Sequence, residues 1–306
     1  MALLEIRHVH KKFGSNQVLT DVNLQVEPHT IYGLIGENGA GKTTTMKMIL
    51  GLLPIEEGEI FIDGKKVTYG ANQTNKMIGY LPDVPEFYGY MSAKEYLQLC
   101  AKITGMKSSL VQARIRELLD LVGLAENNKR IHGYSRGMKQ RLGIAQALLN
   151  QPKLLICDEP TSALDPKGRK EILDILLAIK KETTIIFSTH ILSDVERICD
   201  DIGLLHQGSI HFQGNMQTLK REHQMEGFEI EFASQSECQT FSALFGAGEQ
   251  LSLTRLRYTN PQQGDLRQTL DICASHNLIP IKIEQLEATL ESVFLEVIND
   301  ETTPRV

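Results

Sequence analysis

The chain has 306 residues, 42% of them hydrophobic, enough for one large domain or two modest ones. A formal net charge of −6 argues against a general nucleic-acid binder. The five cysteines (Cys100, Cys157, Cys199, Cys238 and Cys273) form no C-x-x-C pair, so they read as reduced cytosolic thiols and not as a disulfide framework or metal site.

No run approaches the roughly 18 apolar residues of a membrane span, and the opening MALLEIRHVHKKF lacks a signal peptide's apolar stretch. The expectation is a chain that reaches a membrane only through partners. Residues 3–9 read as a strand, followed by a basic loop HKKFGSNQ and another strand around Val22–Val26. Phe13 lies in that loop, where an aromatic either stacks on a nucleotide base or packs on its own domain.

Residues 31–50, IYGLIGENGAGKTTTMKMIL, organise the chain. An apolar run, Ile31 to Ile35, reads as a buried strand. It breaks into a loop that fits G-x-x-x-x-G-K-[ST], and then into a helix with Met46, Ile49 and Leu50 on one face. Glycines let backbone N–H groups curl around an anion, and the helix directs its positive end at the same point. Gly36, Glu37, Asn38, Gly39, Ala40, Gly41, Lys42, Thr43 and Thr44 are therefore assigned to a bound nucleotide. Within that run Lys42 supplies charge at the β/γ-phosphates, and the Thr43 hydroxyl ligates Mg²⁺.

Residues 58–63, GEIFID, alternate and end in Asp63-Gly64, a hairpin signal. The front of the chain thus reads as a small antiparallel sheet on a phosphate-loop core. Residues 78–90 form a strand and a Pro/Gly/aromatic loop. Ser92 and Glu95 make a capping box, with Met91 and Tyr96 placed as a hydrophobic staple. Ile115, Leu118, Leu119 and Val122 mark a second helix, so residues 92–150 are mostly helical. Ser135 and Gly137 open a further helix, either as an ordinary N-cap or as a second anion-ready terminus.

KLLICDEP is an apolar strand ending in Asp158 and Glu159. Adjacent carboxylates at the end of a buried strand are costly unless they face a metal or a reactant. Asp158 suits Mg²⁺ coordination, and Glu159 suits activation of water. SALDP places Asp165 in a polar loop. TTIIFSTH delivers His190 at the end of another buried strand, as a structural histidine or as part of a phosphate site on that edge. After Gln213-Gly214 the character changes. Strand-like 228–232, helix-like 236–245, strand-like 251–259, helix-like 266–275 and strand-like 278–283 approximate a split β-α-β arrangement. A last helix carries Leu290, Val293, Phe294, Val297 and Ile298 on one face.

Taken together, these stretches resemble the nucleotide-binding subunit of an ATP-binding cassette (ABC) transporter over residues 2–215. GENGAGKT resembles the Walker A motif, YSRGMKQR stands in the place of the family signature, LLICDEP resembles Walker B, SALD the D-loop and STH the switch-histidine motif. Phe13 falls where the family places its adenine-stacking aromatic. The tail, with TLESVFLEV, is similar to the extension of drug and antibiotic exporters of the bacitracin and lantibiotic-immunity kind.

The resemblance implies an α/β phosphate-loop NTPase core with an antiparallel β subdomain and an inserted helical subdomain at about 84–150. It implies a nucleotide-binding domain over 1–218 and a small α+β domain over 219–306. It also implies an ATPase driving export through a separate membrane permease, with ATP and Mg²⁺ as cofactors, at the cytoplasmic side of the membrane. Two copies, or one copy and a paralogous ATPase subunit, would sandwich ATP between Walker A of one and Ser135–Gly137 of the other. Glu159 would polarise water, His190 would hold the γ-phosphate and Asp165 would communicate across the dimer.

Asp83 stands where the family commonly has Gln, as a Mg²⁺ contact or as a turn residue. Tyr134, Arg136 and Met138 depart from the usual Leu, Gly and Gln. A GTPase is disfavoured because no N-K-x-D occurs. The alternative is a soluble cassette ATPase or an ATP-binding regulatory module not coupled to transport.

Overall fold

The computed structural model describes residues 2–70, 73–124, 129–222, 227–259, 266–286 and 290–291. The chain divides into two compact units, Met1–Met216 and Gln217–Val306. Among the described residues no helix is long and apolar enough to cross a membrane.

The first unit opens on β1 (Leu4–Phe13) and β2 (Asn16–Val26). They pair antiparallel from Leu4↔Val26 down to Phe13↔Asn16. The stretch expected as a basic loop is therefore mostly strand, turning only at Gly14-Ser15. Charge misled the expectation at Lys11, which is buried, with Nζ donating to Glu56 Oε1 at 2.6 Å and to the Pro54 carbonyl at 3.3 Å. β4 (Glu57–Ile62) and β5 (Lys65–Lys66) complete a sheet ordered β2-β1-β4-β5. Asp63 and Gly64 join them with φ of 49° and 71°. Two consecutive left-handed residues match the twist of a two-residue hairpin, as Asp-Gly signals.

The second sheet is the scaffold of the site. β3 (Ile31–Ile35) is buried throughout and lies between β8 (Thr184–Thr189) and β9 (Asp201–His206). β7 (Leu154–Asp158) and β6 (Ile78–Leu81) extend it on one side, β10 (Ser209–Asn215) on the other. The order is β10-β9-β3-β8-β7-β6, parallel except for β10. Continuous apolar runs such as IYGLI and LLICD are what a sheet covered on both faces requires. Met46, Met48 and Ile49 of α1 (Lys42–Ile49) join Leu34, Leu154, Ile156 and Ile186 in one core with Leu4, Ile6 and Leu24 of the antiparallel sheet.

Between β6 and β7 the chain forms α2 (Ala93–Ile103), α3 (Ser108–Leu121) and α4 (Arg136–Ala147). Ser92 and Glu95 form the expected capping box of α2. α5 (Pro166–Ile179) and α6 (Leu192–Ile198) return the chain to β8 and β9, and α7 (Met216–Glu222) follows β10.

The second unit holds β11 (Phe228–Phe232), α8 (Gln235–Phe245), β12 (Glu249–Ser252), β13 (Arg255–Tyr258), α9 (Leu266–Ser275) and β14 (Pro280–Gln285). All pairs are antiparallel, in the order β12-β13-β11-β14. This is a β-α-β-β-α-β unit, one strand richer than the sequence suggested. The single strand expected over 251–259 is a hairpin turning at Leu253-Thr254. That dipeptide carries no Gly, Asn, Asp or Pro to announce a turn. Phe228, Phe232, Phe241 and Tyr258 form the centre of its core. Of the expected last helix only Leu290 and Glu291 fall within the described residues.

Candidate functional site

β3 ends at Ile35 and the chain loops into α1 through Gly36–Gly41. Gly39 and Gly41 have φ of 88° and 109°, a region that glycine enters without cost. At Gly36 a Cβ would lie 2.3 Å from the Leu205 carbonyl oxygen, so the loop can approach β9 only with glycine there. No side chain caps the N-terminus of α1, which leaves its first N–H groups and its positive end facing the loop's concavity.

Lys42, buried in the first turn, folds back over this concavity. Its Nζ donates to the Gly36 carbonyl at 2.7 Å and the Glu37 carbonyl at 3.1 Å, and lies 3.7 Å from Glu159 Oε1. Burial lowers the ammonium's pKa, while the charges of Glu159 and Asp158 act in the opposite direction. Two of its three N–H bonds are thus spent on loop carbonyls, bonds that a stronger anionic acceptor can replace.

β7 and β8 bring the acidic groups to the same edge. Asp158 is the buried last residue of β7, in register with Ser188. Ser188 Oγ donates to Asp158 Oδ1 at 2.7 Å, and Thr43 Oγ1 donates to Asp158 Oδ2 at 3.0 Å. One carboxylate and one hydroxyl, the carboxylate oriented from behind by Ser188, fit a hard divalent ion that takes its remaining ligands from phosphate and water. Among the described residues no cluster of three or more His, Cys, Asp or Glu side chains makes an all-protein cage.

Glu159 follows with φ of 48°, left-handed for a residue with a Cβ, a conformation costing about 1–2 kcal/mol. Its N–H donates to both the Ser188 carbonyl and Ser188 Oγ at 3.1 Å. Its Oε2 lies 2.9 Å from Nδ1 of the half-exposed His190. The carboxylate therefore stands between Lys42 and His190 at the mouth of a pocket of about 210 Å³. That pocket is lined by Val18, Asn38, Gly39, Gly41, Lys42, Thr43, Thr44 and Glu159. Two roomier clefts, about 430 and 500 Å³, include α4 residues in their walls but contain neither Lys42 nor Glu159.

The other expected site residues stand apart from this group. Phe13 is 48% exposed at the end of β1, with Lys11 Nζ 5.1 Å from its ring centroid, and is not in the pocket lining. Ser135 caps α4, its Oγ accepting from the Met138 N–H at 3.2 Å. At Gly137 an added Cβ would meet nothing closer than Leu164 Cδ2 at 3.9 Å, an open approach. Asp165 caps α5, accepting from the Gly168 N–H at 3.1 Å.

The structure does not bring the Asp83 carboxylate to Thr43 and Asp158. It is held instead by Arg136 and Ser162. Asp83 and Asp158 both act on Tyr80, whose phenol is raised to about 12, by burial first and then by Asp158, Cys157 and Asp83.

Two residues of the site escaped the sequence reading. Ser188 touches both carboxylate-bearing residues, and Val18 lines the pocket from β2. The signal for Ser188 was available: a hydroxyl near the end of a buried apolar strand faces the neighbouring strand end.

The chain that carries this phosphate-sized concavity, lysine and paired carboxylates is similar to known proteins over most of its length. The family model for the ABC transporter matches residues 19–162. YxlF, an uncharacterized ABC transporter ATP-binding protein of Bacillus subtilis, is 38% identical over 97% of this chain and 100% of its own length. The bacitracin transport ATP-binding protein BcrA of Bacillus licheniformis is 35% identical over 98% of both chains. A solved ATP-binding subunit of an ABC transporter superposes with a TM-score of 0.65 at 34% identity, covering 72% of this chain and 92% of that one. With the fold, the strand-end carboxylates and full-length relatives in agreement, the chain belongs to the ABC transporter family, as an ATP-binding subunit that hydrolyses ATP.

Proposed function

We propose that ATP binds in the Gly36–Thr44 concavity with Mg²⁺ held by Thr43 and Asp158, and that its hydrolysis drives export of a drug or peptide antibiotic through a separate membrane subunit. In this reading Lys42 exchanges its loop carbonyls for β/γ-phosphate oxygens. The α1 N–H groups take the remaining phosphate oxygens, and Phe13 stacks on the base. Mg²⁺, when bound, neutralises charge on the phosphates. Glu159 orients the attacking water and accepts its proton. His190 holds the Glu159 carboxylate now and the γ-phosphate in the complex. These roles are positioning and charge neutralisation, which is most of what phosphoryl transfer asks of a protein.

Ser135 and Gly137 lie outside the pocket, at a helix N-terminus open to approach. We assign them to the nucleotide of a second cassette, a copy of this chain or a paralogous subunit, with Asp165 beside that interface. The two-domain division at 218/219 and attachment to the cytoplasmic face of a membrane belong to the same reading. The cargo class rests on the relatives named for bacitracin transport.

The observation that supports catalysis most is the Glu159 carboxylate standing between Lys42 and His190. The test uses the chain co-expressed with its membrane subunit. Glu159→Gln should still bind ATP but lose turnover by ~10²–10⁴-fold, the range for a general base, and should abolish host resistance to the exported peptide. Wild-type turnover in the variant would remove Glu159 from catalysis. Lost turnover with resistance intact would break the link to export.

A further inference from the structure

Arg136 is the first residue of α4, a position where a cation opposes the helix dipole. Asp83, at the foot of the segment leading into α2, adds a negative charge that acts together with Asp158 on Tyr80. Each residue is unfavourable alone, and the structure joins them. Arg136 Nη2 donates to Asp83 Oδ1 and to Ser162 Oγ, both at 3.1 Å. Ser162 Oγ donates to the same Asp83 oxygen. The buried Gln140, one turn along α4, donates to the Asp83 carbonyl at 2.7 Å. Three segments far apart in sequence thus meet at one triangle of side chains.

The third member of the triangle leads to the catalytic glutamate. The Ser162 N–H donates to the Glu159 carbonyl at 3.1 Å, closing the turn that begins at Glu159. Glu159 keeps its left-handed backbone only if both sides of it are anchored. Ser188 anchors its N–H, and Ser162 anchors its carbonyl. Arg136 is therefore two hydrogen bonds from the backbone that aims the Glu159 carboxylate. The side chains of Arg136 and Asp83 are 42% and 48% exposed, so as a surface ion pair they add little to stability. What they provide is placement.

We infer that Arg136 is a positioning residue for hydrolysis. Held by Asp83, it fixes Ser162 and with it the Glu159–Asp165 turn, tying the helical subdomain to the catalytic carboxylate. The inference rests on the reading of Glu159 as the group that activates water. Asp83 in this chain holds Ser162 both directly and through Arg136, and the two substitutions in the family motifs are one compensated pair.

Arg136→Gln, Asp83→Asn and the double variant of the full chain decide it. Each single change should lower kcat about ten-fold with KM for Mg-ATP held within about two-fold, the scale of a sub-ångström misplacement of a reacting group. The double variant should lose no more than either single one, because the pair acts as a unit. Arg136→Lys, which keeps the charge on a compact ammonium in place of the planar guanidinium, should retain more activity than Arg136→Gln, and it carries the test if Arg136→Gln does not fold.

A second readout needs neither nucleotide nor Mg²⁺. Amide hydrogen exchange across 159–165 should quicken in the variants of the free protein while exchange in β3 and β7 stays at the wild-type rate. Independent, multiplying losses in the double variant, or unchanged exchange across 159–165, would overturn the inference. If Glu159→Gln proved active, the general-base reading would fall, while the exchange measurement would still decide what Arg136 holds in place.

Discussion

Ser188→Ala isolates one bond in the site. The hydroxyl is fully buried, so no water takes its place in the variant. It donates to Asp158 Oδ1 at 2.7 Å and accepts from the Glu159 N–H, but that N–H keeps the Ser188 carbonyl at 3.1 Å. The loss is therefore one hydrogen bond to a buried carboxylate whose other oxygen still accepts from Thr43. Bonds to charged groups contribute about 1.5–3 kcal/mol, so a loss of about 2 kcal/mol is expected. Urea unfolding followed by circular dichroism suits a chain with no tryptophan. The two compact units can unfold separately, so the relevant transition is the one that Mg-ATP raises. Its midpoint should fall with its slope unchanged. An unanchored Asp158 should also need more Mg²⁺ for half-maximal turnover. A Ser188→Ala protein matching wild type in both midpoint and Mg²⁺ requirement would show that Ser188 does not position Asp158.

Three further outcomes are expected. Lys42→Ala should abolish tight ATP binding in a calorimetric titration with Mg-ATP, and unchanged affinity would take Lys42 out of the site. Residues 1–219 expressed alone should fold and bind ATP, since every group of the pocket lies before residue 160 and His190 closes the set; a folded fragment that cannot bind ATP would refute this separation. Burial pushes the Cys157 and Cys199 thiols up, so thiolate is scarce at pH 8. Iodoacetamide should modify these two only after unfolding, and rapid labelling of either in the native chain, read by peptide mass, would contradict the packing of β7 and α6.

What could be read in advance followed from how local each signal was. Asp63-Gly64 announced its hairpin because the turn's geometry demands those residues. Gly36–Thr44 announced a phosphate loop because one contiguous run contains glycines, lysine and hydroxyls. Leu253-Thr254 turns just as tightly without any such residue, so the sequence over 251–259 predicts one strand where a hairpin stands. The charged Lys11-Lys12 pair suggested a loop, because its neutralising Glu56 lies more than 40 residues away and only pairing of β1 with β4 brings it near. The contacts that Ser188 and Arg136 make are non-local for the same reason. Their partners are set by which strand ends and loops the topology places side by side, and no window of sequence contains both members of either pair.

The position of β3 also governs how the chain must be made. Its two neighbours are β8 and β9, with Ile31 opposite Ile185 and Tyr32 opposite Asp201. During synthesis at about 5–20 residues per second, β3 waits roughly eight to thirty seconds for its first partner strand. Through that interval an apolar strand with both edges unpaired is a template for the wrong partner, including another nascent chain. The phosphate loop packs closely on β9, where a Cβ at Gly36 would lie 2.3 Å from the Leu205 carbonyl oxygen, so a chain stalled short of residue 184 lacks both strands that flank β3. Among the described residues, 228–285 contain all four strands of their own sheet, and those four strands need nothing synthesised earlier to complete their pairing.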